Sequence, residues 1–95
     1  MNYNYLLNGR KPNKEKLVAN GFEPSGNAFV LRADLPNSLY VLVKISEKTI
    51  AVDVFDGLFN VKYAPFYSGH GGGGIKTEVH QILENILNSC CEKST

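Results

Sequence analysis

Three patterns of apolar and polar positions divide this chain. The first is short. In PNKEKLVANGF, Leu17 and Val18 form an apolar edge between a capping residue, Asn13, and a glycine, Gly21, followed by Phe22. That order predicts a helix of about two turns, closed by a left-handed glycine and a hydrophobic residue folding back onto it. So short a helix has to dock on something to persist in water. The second pattern is alternation. It runs from Asn27 to Phe66 and predicts four strands: NAFVLRA, LYVLVKI, TIAVDVFD and VKYAPF. Leu39, Val41, Val43 and Ile45 share one face of the second strand, and Ile50, Val52 and Val54 one face of the third. The third pattern is helical. Ile75, Val79, Ile82, Leu83, Ile86, Leu87 and Cys90 line one side of an amphipathic helix reaching about Cys91.

The segments between strands are reversals: DLPNS with Pro36 and Asn37, then Ser46-Glu47-Lys48, then Asp56-Gly57. Short reversals imply an antiparallel meander. Pro65 cannot donate to a ladder, so the fourth strand ends there or lies at an edge. The expected fold is α+β: a short N-terminal helix, a four-stranded antiparallel meander, and a long C-terminal amphipathic helix packed on the valine–isoleucine face. Residues 1–12 are expected to be loosely ordered and residues 69–74 to form a flexible glycine-rich loop.

Length and charge narrow the function. Ninety-five residues make one domain. Ten basic against nine acidic residues leave a net charge of +1, which argues against a general affinity for nucleic acid or membranes. No apolar run approaches the ~20 residues that span a bilayer, and the N-terminal MNYNYLLNGRKPNK lacks the pattern of a signal peptide. The only cysteines are the neighbours Cys90 and Cys91, so no disulfide framework is expected, and a cytoplasmic location fits best.

The stretch SGHGGGGIKT invites three readings. As a P-loop it fails by one residue, because Ile75 stands between Gly74 and Lys76-Thr77 and the lysine would point elsewhere. As an oxyanion motif, His70-Gly71-Gly72-Gly73 lacks the nucleophile elbow that such a motif serves. What remains is a connection into the last helix, with Gly71, Gly72, Gly73 and Gly74 as a candidate anion loop at its N-terminus.

Nothing else reads as catalysis. His70, His80, Cys90 and Cys91 have no metal-ligand spacing, and Asp53 and Asp56 fall on opposite faces of one strand. No catalytic residue, metal site or cofactor is expected. SGNAFVLR matches part of the pattern by which RNA-recognition sheets stack bases, through Gly26, Ala28, Phe29 and Val30. The positions that require basic or aromatic groups hold Ser25, Asn27 and Arg32, so two of the three contacting groups are lost and the match is a coincidence of strand composition. Two surface features remain. Arg10, Lys11, Lys14 and Lys16 cluster beside Tyr3 and Tyr5, a candidate phosphate or nucleic-acid patch. Tyr40, Leu42 and Phe55 lie on the sheet face opposite the valines, a candidate partner-binding patch.

Lys16-Leu17 with Gly21-Phe22, the NAFVLRADLPNSLYVLVKI hairpin and the closing IKTEVHQILENILNSC helix together give an order of elements that resembles the MmcQ/YjbR-like family, whose fold is related to that of frataxin (CyaY-like). The similarity is to the N-terminal half of longer, two-part members. The resemblance implies a frataxin-related fold and an association with DNA. Frataxin-like iron handling uses an acidic ridge on the first helix; here NKEKLVAN is net basic, and iron binding is not carried over. The chain therefore reads as a non-enzymatic module that binds a macromolecular partner, a protein in the first instance. Nucleic acid at the basic patch is the alternative. No membrane contact is expected, and the chain is a monomer or a weak homodimer.

Overall fold

A computed structural model describes residues 3–68 and 73–93. In chain order the elements are a 3-10 turn (Asn4–Leu7), β1 (Arg10–Pro12), α1 (Lys14–Ala19), β2 (Glu23–Ser25), β3 (Ala28–Asp34), β4 (Leu39–Ile45), β5 (Ile50–Asp56), β6 (Val61–Lys62), α2 (Ala64–Ser68), α3 (Gly73–Cys90) and β7 (Cys91–Lys93). Strands β2 to β6 form one antiparallel sheet in the order β2-β3-β4-β5-β6. The meander and the α+β class stand, but the sheet has five strands where four were expected.

Two local causes explain the difference. Glu23–Ser25 pairs with β3 through a two-residue Gly26-Asn27 loop, and Gly26 has φ +60 while Asn27 does not share the positive sign. This is the Gly-X pattern of a tight hairpin turn, and Pro24 is tolerated because β2 is an edge. At the other edge, VKYAPF is not one strand. Pairing stops at Lys62, and Pro65 sits in the first turn of α2, where its missing N–H leaves no helical bond unmade.

Helix α1 forms as its sequence requires. The Asn13 side chain accepts the Lys16 N–H at 3.0 Å. At the far end Gly21 adopts φ +95, the Phe22 N–H reaches the Leu17 carbonyl at 3.0 Å, and the Gly21 N–H reaches that of Val18 at 3.1 Å. Those paired bonds close the helix, with Leu17 and Phe22 both buried as its hydrophobic clasp.

One core holds the layers together. Leu39, Val41, Val43 and Ile45 of β4 and Ile50, Val52 and Val54 of β5 are almost wholly buried, as are Val79, Leu83, Leu87 and Cys90 of α3; all belong to one cluster. Ile75 and Ile82 pack at its margin. Leu7, Leu17, Phe22 and Phe66 extend the cover beyond α3. Residues 3–12 join the fold. Tyr3 is buried and donates its backbone N–H to Ile50 (2.9 Å), while Asn4 Oδ1 accepts the Ile50 N–H (2.8 Å). Beyond them β1 pairs with β7, antiparallel, which lays residues 10–12 beside residues 91–93.

The two turns at one end of the sheet are locked to each other. Asn37 and Ser38 both take positive φ, and the Ser38 carbonyl accepts the Gly57 N–H at 2.8 Å. A Cβ on Gly57 would lie 2.6 Å from that same carbonyl oxygen. We expect Gly57→Ala to lower unfolding free energy by about 1–3 kcal/mol, the cost typical of overpacking. Gly74→Ala, with nothing within 4 Å of the new Cβ, should be neutral or slightly stabilising. Urea denaturation of both variants checks the contrast.

The short β6 leaves part of β5 unpaired by strand, and side chains finish the edge. The Tyr63 N–H donates to the Val54 carbonyl (2.9 Å), the Val54 N–H donates to the Tyr67 hydroxyl (3.1 Å), and that hydroxyl donates to Asp53 Oδ1 (2.8 Å). Burial, and then the hydrogen bond to Asp53, push the Tyr67 phenol up to about 12. Folding thus favours the neutral phenol. Its contribution is whole below pH 10 and is lost as pH rises through about 12. The stability difference between wild type and Tyr67→Phe should therefore shrink between pH 10 and 12, and the substitution should remove a late step from the tyrosinate absorbance titration.

Candidate functional site

The face of the sheet turned away from α3 is built by register. Crossing the strands, one row of outward residues reads Asp34, Tyr40, Phe55, Lys62; the next reads Arg32, Leu42, Asp53; a third reads Val30, Lys44, Ala51. Among the described residues no helix or strand packs across these rows; α2 reaches only their β5–β6 border, where the Tyr67 hydroxyl donates to Asp53 Oδ1 (2.8 Å). Tyr40, Leu42, Phe55 and Val30 are half-buried by their neighbours alone.

The aromatic pair is held in a fixed arrangement. Tyr40 and Phe55 are cross-strand partners, stacked with centroids 5.3 Å apart and planes 16° from parallel. The Arg32 guanidinium lies 3.9 Å from the Tyr40 ring centre, and Arg32 Nε is 3.8 Å from Asp34 Oδ1. On the opposite flank Lys62 Nζ is 3.8 Å from Asp53 Oδ1. Such exposed pairs add little stability, but they orient the side chains at both borders of the aromatic row.

Beside this face stands a feature that the sequence reading missed. The β5–β6 turn is Gly57-Leu58-Phe59-Asn60, and Leu58 and Phe59 are 73% and 72% exposed. The turn is well made: Asp56 Oδ1 accepts the Leu58 N–H at 2.9 Å, the Asn60 N–H reaches the Asp56 carbonyl at 2.8 Å, and Asn60 takes φ +55. Two large apolar residues in a turn whose geometry does not need them were the available signal, since such positions are normally polar.

The other sequence-derived candidates fare differently. Arg10 is half-buried, with Nη2 3.6 Å from Glu84 Oε2, and its buried Nη1 has no hydrogen-bond partner among the described residues. Lys16 Nζ lies 3.8 Å from Glu92 Oε1, and Lys11 sits opposite Glu92 in the β1–β7 pair. Acids are thus interleaved with Arg10, Lys11, Lys14 and Lys16, and Tyr3 is buried in the core, leaving Tyr5 exposed. Of the candidate anion loop, Gly71 and Gly72 lie outside the described residues, as do Gly69 and His70; Gly73 and Gly74 open α3.

Lys11, Asn13, Lys14, Phe29, Ser46 and Glu47 line a cleft of about 450 Å³ near the start of α1. Its charges are of both signs and it is open, so we place the candidate site at the outer sheet face instead. Cys90 is buried, with its thiol 3.7 Å from the Lys16 carbonyl, and Cys91 is half-buried. Burial raises both thiols above their ordinary range, and each also feels Lys16, which pulls the other way. Neither is a poised nucleophile. Among the described residues no three of His, Cys, Asp and Glu are arranged to hold a metal ion, and no helix is long and apolar enough to cross a membrane.

Scans against protein-family models, curated proteins and solved structures return no match to this chain.

Proposed function

We propose that this chain is a non-enzymatic binding module that engages a protein partner through the outer sheet face. Tyr40, Leu42 and Phe55 form the centre of the contact, and Leu58 and Phe59 extend it. One observation carries the reading: a stacked aromatic pair, with Asp34 and Lys62 at the two ends of its row, stands on a sheet face that no helix or strand among the described residues packs across. An apolar centre within a polar rim is the anatomy of a protein-binding surface, and ordered rings cost less entropy to engage than free ones. The order of elements, a short helix, an antiparallel meander and a long closing helix, supports a relation to the MmcQ/YjbR-like family.

Nucleic acid at the basic patch has weaker support, because Arg10 and Lys16 are each within ion-pair distance of a glutamate. On the outer face the bases Arg32, Lys44 and Lys62 are matched by Glu23, Asp34 and Asp53. A phosphate backbone requires an excess of base.

A photo-cross-linking residue placed at Leu42, in the native cells, tests the proposal. It should trap a protein adduct, whereas the same residue at exposed Gln81 on α3 should not. Absence of an adduct at Leu42, or equal adducts at both positions, would rule the outer face out.

A further inference from the structure

We infer that the outer face is self-complementary and takes a second copy of this chain, about a two-fold axis parallel to the strands and between β4 and β5. This rests on reading that face as the binding surface, and it names the occupant.

The register supplies the argument. The row Asp34, Tyr40, Phe55, Lys62 begins with an acid and ends with a base, with two stacked rings between them. A two-fold rotation about an axis along the strands turns such a row end for end. It sets Asp34 against the other copy's Lys62 and Tyr40 against the other copy's Phe55, and each contact occurs twice. The neighbouring row, Arg32, Leu42, Asp53, has the opposite polarity, with its base on β3 and its acid on β5. The same rotation lays Leu42 on the other copy's Asp53 and brings Arg32 within about one strand spacing, ~4.8 Å, of that carboxylate, which an arginine spans easily. Lys44 meets Ala51 rather than another lysine. Each border of the paired sheets then carries Asp34 against the other copy's Lys62, with Arg32 beside them.

The competing axis, across the strands, lacks this property. It would set Arg32 against Arg32 and Asp53 against Asp53, and would lay Tyr40 on Lys44. Charge therefore selects one of the two ways in which these faces can meet. The selected rotation also carries the exposed Leu58-Phe59 turn over the β3–β4 end of the other copy. There Arg32, Asp34, Leu35 and Tyr40, with the same copy's own Gly57 and Leu58, border a shallow groove of about 290 Å³.

Sheets pack face to face with strands nearly aligned, as this axis requires. Four strands and three rows cover roughly 15 × 15 Å, well below the ~800 Å² per partner of a standard stable interface. The dimer is therefore weak and concentration-dependent.

Reciprocal charge reversal tests it. In sedimentation equilibrium of the purified chain from ~10 µM to ~1 mM, wild-type mass should rise from 10.5 kDa toward twice that value. Asp34→Lys alone and Lys62→Asp alone each oppose like charges at both ends and should weaken association at least about tenfold. An equimolar mixture restores both attractive contacts and should return to within about threefold of wild type. Mixing cannot rescue a variant that failed to fold, so recovery reports the contact itself. A wild type that stays monomeric at ~1 mM, single variants that associate as well as wild type, or a mixture no better than its components would overturn the inference. A monomeric wild type with a Leu42 cross-link to a different protein overturns self-association while leaving the face its binding role.

Discussion

The burial of the β4 and β5 aliphatic rows beneath α3 is the interaction on which the other features depend. Val41, Val43, Ile45, Ile50, Val52 and Val54 are fully removed from solvent on one side, and Val79, Leu83 and Leu87 are buried on the other. Each such side chain contributes about 1.5–3 kcal/mol of transfer free energy, more than any surface contact in this small fold. Among the described residues the same arrangement leaves the second face of the sheet without a helix packed across it.

From that asymmetry follow the edges and the outer face. At one edge β2 is three residues long and carries Pro24; at the other, Tyr63 and Tyr67 satisfy the part of β5 that β6 does not reach. Both devices discourage edge-to-edge pairing, which would otherwise be the simplest route to association. The open surface is thus the outer face, whose apolar centre is small and whose borders carry matched charges. A contact there has to be recognised by charge order as much as by apolar area, which favours specificity over strength.

Much of this was legible in the sequence because the governing periods are short. Alternation located β4 and β5 to within a residue, helical spacing located the buried side of α3, and Asn13 and Gly21 marked the ends of α1. What escaped was non-local or local in an unexpected sense. Strand β2 has no apolar alternation to betray it and exists because Gly26-Asn27 turns it back onto β3. The β1–β7 pair joins segments about eighty positions apart, which no window along the chain connects. Pro65 signals a strand end or an edge strand, whereas it sits in the first turn of α2. At the candidate site Tyr40, Leu42 and Phe55 could be assigned to a face by parity alone. The stack between two of them, the guanidinium over Tyr40, and the opposed polarity of the two charged rows needed the register of four strands.

Native-state amide hydrogen exchange tests the central claim most directly, because it reads whether α3 and the sheet open together. If α3 seals the valine–isoleucine face, the amides of Val79, Leu83 and Leu87 should exchange with the same opening free energy as those of Val41, Val43 and Val52, close to that of global unfolding. Exchange of the α3 amides at near-unprotected rates while the strands remain protected would contradict the account.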